Sequence, residues 1–278
     1  MLRPGVMRLR VVLGVMVLGS MVAGIAVAQE TPPQTPPSTP SGWAVLGRDA
    51  VTLGPRNRIT GPAGVTGGEL RLRRRARVSA AAAAQSIRLA GGARVGALYC
   101  ILVVGGSGSC SPPPDPLVDK ALLPVVQATP GGQDIKVPRR ARRLEVDPGR
   151  YRDVEVGAGS ELRLAAGTFD FRSVTLGAGA SLLCLGPCEI DVRRGFQLGA
   201  RGHLEAAPGA VAPITLRVQG DNKGIVRLGA RSRVTADVYA PTTEVRFGAR
   251  SRLSGRVVGE VVNTAGRVQI THPDAATP

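Results

Sequence analysis

The chain contains few aromatic residues and few histidines for its length. Aromatic side chains make up 3% of its 278 residues, and the two histidines are His203 and His272. A β-sandwich normally has more rings in its core, so this composition disfavours that fold. Glycine, with 37 residues, is too frequent for an all-helical protein, because glycine destabilises the interior of a helix.

Reactive side chains are also sparse. Neither histidine stands at metal-ligand spacing from a cysteine. No cysteine has a histidine close to it in sequence that could act as its general base. The acidic residues are dispersed, whereas a glycoside hydrolase needs two or three carboxylates on one face. We therefore expect no enzymatic activity, no catalytic residues, no metal site and no cofactor.

Long apolar runs are missing after residue 28. The first 28 residues have three early arginines, an apolar run at residues 11–22 and a small-residue cleavage site, Ala26-Val27-Ala28. This pattern predicts a signal peptide at residues 1–28, with an uncleaved membrane anchor as the alternative. After cleavage no integral membrane span is expected, and we predict a secreted protein of the periplasm, cell surface or extracellular space.

Residues 29–42 are rich in proline and threonine. This composition favours an extended linker and cannot form a packed core. Residues 43–272 are enough for one large domain, and residues 273–278 are expected to form a disordered tail.

A repeated cassette fills that domain. VRLGARSRV at residues 226–234 recurs as VRFGARSRL at 245–253, and related copies begin at residues 51, 70, 87, 154, 174 and 196. Apolar residues alternate with polar ones, as in a half-buried strand, and the glycine that follows permits a turn. Steps between copies near 20 residues suit the coils of a parallel β-helix, in which each strand pairs with its counterpart in the next coil.

We therefore predict an all-β fold, a parallel β-helix or β-solenoid with coils of about 17–22 residues. Residues 111–138 break the repeat. The start at Asp115-Pro116-Leu117 and the helical spacing of LVDKALL predict one short α-helix that crosses or caps the solenoid. This insertion separates a first set of coils, residues 43–110, from a second set, residues 139–272.

Four cysteines in an exported chain suggest disulfides. Three pairings are possible, and the short separations favour Cys100 with Cys110 and Cys184 with Cys188. Metal binding and free structural thiols are the alternatives.

Repeated LGA-x-(S/G)-x-(V/L) coils and the segment VYAPTTEVRFGARSRLSGRVVGEVV at residues 238–262 carry a resemblance to known proteins. They resemble exported bacterial β-helix proteins of unassigned function, and their layout is similar to that of bactofilin-type solenoids, which implies end-to-end self-assembly. GWAVLGRDAVTLGPRNRITG at residues 42–61 carries a weaker likeness to ice-binding β-solenoids. The faces of that family carry rows of Thr, Ser and Ala, whereas the repeated outward positions here carry arginine.

The net charge is strongly positive, at +16, and only three of the 36 basic residues are lysine. If the last two cassettes are in register, their arginines stack about 4.8 Å apart, where unit charges in water repel by roughly 0.9 kcal/mol. Planar guanidinium groups in such a row suit phosphate, sulfate or carboxylate. The candidate polyanion-binding residues are Arg227, Arg231, Arg233, Arg246, Arg250 and Arg252.

These observations predict a secreted structural or binding element of a bacterial envelope or extracellular matrix that holds anionic polysaccharide or another polyanion. No specific nucleic-acid partner is expected, because aromatic stacking platforms are missing. A solvated arginine face that reflects GC-rich coding is the simpler alternative. A self-associating, bactofilin-like polymer is the second hypothesis. A carbohydrate-active enzyme that uses Asp170 and Asp191, 21 residues apart, ranks last.

Overall fold

The computed structural model describes the chain from residue 37 to residue 274, apart from short segments. The residues outside the description are 1–36, 38, 40–41, 106–108, 114–122, 124–125, 141–142, 210–212, 222–223 and 275–278. The predicted signal peptide, most of the predicted linker and nearly all of the predicted α-helix therefore lie outside the described residues.

The described residues form 22 β-strands and contain no α-helix. The strands of the amino-terminal coils are β1 (Val45–Leu53), β2 (Arg58–Thr60), β3 (Ala63–Val65), β4 (Glu69–Leu72), β5 (Arg77–Leu89) and β6 (Arg94–Val104). The strands that follow are β7 (Ile135–Val137), β8 (Leu144–Val146), β9 (Gly149–Arg150), β10 (Asp153–Val156), β11 (Glu161–Leu164), β12 (Gly167–Leu176), β13 (Ser181–Cys184), β14 (Cys188–Leu198), β15 (His203–Ala206), β16 (Ile214–Val218), β17 (Ile225–Leu228), β18 (Arg233–Thr235), β19 (Asp237–Phe247), β20 (Arg252–Ser254), β21 (Val257–Thr264) and β22 (Gln269–Thr271).

Each coil contributes to three walls of parallel strands. In one coil, residues 244–247 lie in the first wall, β20 lies in the second wall and residues 257–259 lie in the third wall. The counterpart of each segment in the next coil pairs with it in parallel, as Val245 pairs with Val226 in the first wall. The predicted all-β parallel solenoid is confirmed, with about 11 turns.

The interior is filled by the apolar positions of the repeated cassette. Most of the residues that precede the glycine position of the cassette are buried: Leu53, Leu72, Val156, Leu176, Leu198, Leu228 and Phe247. All four phenylalanines are also inside, and the rings of Phe169 and Phe171 stack with their centroids 6.0 Å apart. Burying each such side chain contributes roughly 1.5–3 kcal/mol, so the stacked interior is the main source of stability.

The coils do not stack in the order of the chain. The first-wall segments follow one another as 135–137, 153–156, 173–176, 195–198, 225–228, 244–247, 261–264, 50–53, 69–72, 86–89 and 102–104. The first coil of the chain thus lies on the last one, since β1 pairs with β21 and β2 with β22. Both ends of the stack are internal segments of the chain.

A buried polar cluster joins the first coil to the last. The Thr264 side chain takes an interior position in the first wall and accepts a hydrogen bond from the backbone N–H of Gly54 at 2.9 Å. Asn57, fully buried, donates to the Thr264 hydroxyl and accepts from the N–H of Val268 at 2.9 Å. Arg48 and Glu260 form an ion pair across the same junction. Polar groups satisfy one another here although more than 200 residues separate them in sequence.

The insertion returns the chain from one end of the stack to the other. Ser111 still pairs with Tyr99 of β6, at the end formed by the amino-terminal coils. Leu123 packs against the third wall near Trp43, and Thr129 donates its N–H to Asp170 at 3.1 Å, close to the opposite end. The described part of residues 123–134 therefore crosses the third wall. Strand β7 lies within the segment that the sequence assigned to the insertion, yet it pairs with β10 as part of a regular coil.

Both cysteine pairs are bonded. Cys100 is bonded to Cys110 with the Cα atoms 5.3 Å apart, and Cys184 is bonded to Cys188 with the Cα atoms 6.1 Å apart. The first disulfide links β6 to the segment that follows it, and the second bridges the turn between β13 and β14. In the described part of the chain, no helix is long and apolar enough to cross a membrane.

Candidate polyanion-binding surface

A four-residue corner turn joins the first wall to the second wall, and its third residue is left-handed. The residues at this position, in stacking order, are Arg140, Gly159, Gly179, Arg201, Arg231, Arg250, Arg267, Arg56, Arg75 and Gly92. The seven arginines have φ values from 59° to 63°, a region that glycine enters freely and other residues rarely do.

The corner turns stack through their backbones. The N–H of each left-handed residue donates to the carbonyl that precedes the left-handed residue of the next coil, as Arg231 does to Ala249 at 2.9 Å and Arg267 to Pro55 at 2.9 Å. Six consecutive coils carry arginine at this position, and we call this row the corner ladder: Arg201, Arg231, Arg250, Arg267, Arg56 and Arg75. With strands about 4.8 Å apart, the corner ladder is about 24 Å long.

A second row of arginines runs along the second wall, two residues after the corner. Strand register places its positions in the order His203, Arg233, Arg252, Gln269, Arg58, Arg77 and Arg94. We call the five arginines of this row the wall ladder, and the two ladders together the arginine array. All eleven arginine side chains of the array are exposed.

The arginine array has no acidic partner in the part of the chain that the structure describes. None of its side chains makes a hydrogen bond or an ion pair with any residue that the structure describes. The array frames an open pocket of about 630 Å³ between neighbouring corner turns, lined by Arg56, Arg75, Arg250 and Arg267 together with Arg74. Several uncompensated cations thus converge on one water-accessible space, which makes it a strongly positive surface.

Many arginines elsewhere on the solenoid are paired with acids. Residues 126–221, which we call the balanced coils, contain 13 basic and 11 acidic residues. Seven of their arginines form ion pairs: Arg143 and Arg163 with Glu161, Arg150 with Asp170, Arg152 with Asp134, Arg172 with Asp153, Arg193 with Asp221, and Arg217 with Glu189 and Asp191. Residues 42–105 and 225–274, the cationic coils, contain 18 arginines and six acids. Excess charge is therefore concentrated in the part of the stack that carries most of the array.

The six candidate residues from the sequence fall into three adjacent rows. Arg227 lies opposite Arg246 in the first wall, Arg233 lies opposite Arg252 in the second wall, and Arg231 precedes Arg250 in the corner ladder. Of the six, Arg246 forms an ion pair, with Glu244 at 2.7 Å, and the other five form none with the described residues. Hydrogen bonds from Arg246 and from Asn263 hold the pKa of the Glu244 carboxyl below its usual value.

Sequence reasoning missed the part of the array that comes from elsewhere in the chain. Arg56, Arg58, Arg75 and Arg77 belong to the amino-terminal coils. Only the unexpected stacking order brings them into the same rows as Arg250 and Arg252, one coil beyond Arg267 and Gln269. A signal was present in the sequence: R-x-R recurs as RNR, RAR, RSR and RSR at residues 56, 75, 231 and 250.

The two carboxylates considered for catalysis are neighbours in the third wall, where Asp170 lies opposite Asp191. Asp170 accepts the N–H of Thr129, and Arg217 donates to Asp191 at 2.6 Å. Burial raises the pKa of the Asp191 carboxyl despite the hydrogen bond from Arg217. Both carboxylates therefore have structural partners, one in the returning insertion and one in the adjacent strand.

Other reactive groups do not gather into a centre. His203 lies beside Glu205 in β15, with Nδ1 3.4 Å from the carboxylate, while His272 is buried near the end of the last coil. No group of three or more His, Cys, Asp or Glu residues in the described part of the chain is placed to hold a metal ion. Comparison with protein-family models, curated proteins and solved structures gives no match to this chain.

Proposed function

We propose that this solenoid is a secreted structural element of a bacterial envelope or extracellular matrix that holds anionic polymers on its arginine array. The observation that carries the proposal is the corner ladder, six exposed arginines in consecutive coils without an acidic partner among the described residues. Guanidinium groups donate paired hydrogen bonds to sulfate, phosphate and carboxylate. A row of them suits a linear polyanion better than a small anion.

The backbone of the corner ladder supports a binding role. An L-residue in the left-handed region costs about 1–2 kcal/mol, and glycine avoids this cost. Gly159 and Gly179 occupy the same position in two of the balanced coils, so the turn itself does not require arginine. Strained residues that lack a structural partner are typical of functional surfaces.

The proposed location rests on the export signal and the disulfides. Disulfides persist outside the cytoplasm, and both cysteine pairs are bonded. The signal pattern at residues 1–28 would deliver the chain to that environment, where acidic polysaccharides and phosphorylated lipids are abundant.

Binding of the mature chain, residues 29–278, to immobilised dextran sulfate across a range of salt concentrations tests the proposal. A variant with Arg56, Arg75, Arg231 and Arg250 changed to Gln should lose at least tenfold in affinity and show a shallower salt dependence, because fewer counterions are released. The matched control changes Arg143, Arg150, Arg152 and Arg193 to Gln. It removes the same net charge from the balanced coils and should bind nearly as well as the unmodified chain.

Equal losses in the two variants would show that net charge alone attracts the polymer, and the array would have no specific role. Absence of binding by the unmodified chain at low salt would refute the proposal altogether. Circular dichroism of each variant confirms that the β-solenoid is intact.

End-to-end association is a second candidate function, and the terminal strand β6 favours it. Ile101, Leu102 and Val104 are 77%, 55% and 44% exposed there, and β6 pairs only with β5 and at one point with Ser111 among the described residues. A second copy of this chain is the fitting partner, because β7, β8 and β9 at the opposite end belong to the same three walls and would continue parallel pairing head to tail.

Sedimentation velocity of the mature chain over a range of concentrations, at low and high salt, tests this second candidate. Growth into large species at both salt concentrations is expected if the ends stack, and Leu102→Lys should abolish the growth. Leu183→Lys, in a strand that is paired on both sides, is the control and should leave it unchanged. A single monomer at every concentration would exclude end-to-end association.

A further inference from the structure

A row of hydroxyl side chains runs beside the wall ladder. Strand register places Thr235 opposite Ser254, Ser254 opposite Thr271, and Thr271 opposite Thr60. We call these four residues the hydroxyl row. Each is exposed, and none of the four side chains hydrogen-bonds to a residue that the structure describes. Four solvent-exposed hydroxyls thus stand in consecutive coils on one wall.

The hydroxyl row and the wall ladder form a two-dimensional grid. Each hydroxyl follows a longer polar side chain by two residues, as Thr235 follows Arg233, Ser254 follows Arg252 and Thr60 follows Arg58. Alternate residues of a strand point to the same side, so the two rows project together, about 6.6 Å apart along each strand. Along the stack both rows repeat every 4.8 Å or so.

A ligand that satisfies both rows needs acidic groups and neutral hydroxyls on the same linear chain. We propose that the ligand of this surface is an extended acidic polysaccharide that lies along the solenoid axis, with its sulfate or carboxylate groups on the arginine array and its sugar hydroxyls on the hydroxyl row. This inference rests on the proposed function and specifies its ligand. A hydroxyl side chain both donates and accepts, which matches the hydroxyls of a sugar.

The direction of the polymer follows from the rows. Arginines are continuous only along the stack, in the consecutive coils of the corner ladder, whereas a single strand of the second wall offers one arginine. One sugar of an extended chain is about as long as one coil is high, so successive sugars meet equivalent side chains. A polymer that lay parallel to the strands would leave the second wall after one or two contacts.

Nucleic acid fits this surface less well. The eight aromatic residues of the chain all lie within the described residues, and none is exposed on the second wall or at the corner. Trp43 and the four phenylalanines are buried, and Tyr99 and Tyr239 pack on the third wall. Bases would find no stacking partner here, and a polymer that offers only phosphates could accept hydrogen bonds from the hydroxyl row but would donate none to it.

A size series of heparin oligosaccharides tests the inference, with polyphosphate and a single-stranded oligonucleotide of matched charge as the other probes. The affinity of each protein molecule for heparin should rise with oligosaccharide length until the oligosaccharide spans the array, and should then stay constant. A hydroxyl-row variant, Thr60→Val with Thr235→Val, Ser254→Ala and Thr271→Val, should lose about tenfold in heparin affinity and clearly less in polyphosphate affinity, because phosphate oxygens use the hydroxyls only as donors. The control variant, Thr168→Val with Thr175→Val, should bind every probe as the unmodified chain does.

The outcomes separate this inference from the function on which it rests. The hydroxyl-row variant could bind heparin normally while the variant with Arg56, Arg75, Arg231 and Arg250 changed to Gln does not. The array would then bind polyanions, and the hydroxyl row would not contribute to recognition of the sugar. Tighter binding of polyphosphate or of the oligonucleotide would assign the surface to a phosphate polymer and overturn the inference. If no probe binds the unmodified chain, the proposed function fails as well.

Discussion

The corner turn of the solenoid carries glycine in one stretch of coils and arginine in another, with the same backbone conformation in both. At Gly159 and Gly179 the turn is left-handed with φ values of 69° and 66°, and at Arg201 and Arg231 it has φ values of 59° and 60°. Hydrogen bonds between successive turns are also alike, from 2.8 to 3.0 Å across all four positions. The fold therefore needs only a residue that tolerates this conformation, and the side chain is free for another purpose.

The surroundings of the two stretches differ in the same sense. Seven arginines of the balanced coils form ion pairs with acids, whereas the arginines of the array form none with the described residues. Since the interior of both regions is built from the same kind of aliphatic rows, packing does not explain the contrast. A solenoid thus separates the structural role of its interior from the chemistry of its surface, one coil at a time.

Removal of a paired arginine should have the largest effect on stability. Arg217→Gln leaves the Asp191 carboxylate, which is only 9% exposed, without its ion-pair partner. We expect the free energy of unfolding to fall by about 2 kcal/mol in urea denaturation. Arg233→Gln in the wall ladder is the matched control and should change it by less than about 0.5 kcal/mol. Equal effects would show that pairing does not distinguish the two regions.

Asn57→Ala should loosen the cationic coils along the junction between the first and the last coil. It removes the donor to Thr264 and the acceptor of the Val268 N–H, for an expected loss of about 2 kcal/mol. Hydrogen exchange should accelerate in the amino-terminal coils and not in the balanced coils.

Ser232→Ala provides the control for Asn57→Ala. Ser232 occupies the same fourth position of a corner turn, is fully buried and has no hydrogen-bond partner for its hydroxyl in the described structure. Its replacement should leave stability unchanged. A comparable loss in the two variants would mean that any substitution at the fourth position of the turn destabilises the stack. The polar contacts of Asn57 would then not be the cause.

Gly179→Arg should extend the corner ladder into the balanced coils. A Cβ atom at Gly179 meets nothing within 4 Å, so the expected loss of about 1 kcal/mol comes from the left-handed backbone. Affinity for dextran sulfate should rise about threefold, because one more cation adjoins Arg201. Gly179→Ala has the same backbone cost without the charge, and a gain in affinity for that variant would contradict the role of the guanidinium.

Lowering the pH should have a smaller effect on the stability of the cationic coils. The pKa of Glu244 is lowered in the folded state, so its contribution to stability is present above the usual pKa of 4.5 and is lost as the pH falls through the folded pKa. Between about pH 5 and pH 3, Glu244→Gln should flatten the decline in the free energy of unfolding by roughly 0.5 kcal/mol. An equal flattening in Glu155→Gln, at an exposed position without an ion pair in the described structure, would show that the hydrogen bonds of Glu244 are not the cause.

The sequence was sufficient for the coil and its interior. Alternation in V-R-L places Val226 and Leu228 inside and Arg227 outside, and the recurrence of that pattern predicts parallel stacking. The side chains of the last two cassettes could also be aligned correctly, since Arg233 and Arg252 occupy equivalent places in nearly identical segments. Local pattern decides these features because each coil repeats the same strand and turn.

The left-handed corner was harder to foresee. Glycine in most cassettes pointed to a turn, yet the residue with positive φ lies two positions later and is usually arginine, as at Arg231 and Arg250. Arginine carries no sequence signal for that conformation, so the feature became visible only with the backbone. The short α-helix predicted from Asp115 falls almost wholly outside the described residues and stays a prediction.

By itself the sequence determined the class of fold, the inward and outward positions of each coil and the surplus of arginine. Only the tertiary structure decided the order of the coils, because nearly equivalent repeats offer the same parallel edge to any neighbour. The choice depends on a few long-range contacts, such as those of Asn57 with Thr264 and Val268, which no local pattern encodes. That choice places Arg56 and Arg75 after Arg267 and so completes a ladder that chain order would have left in two pieces.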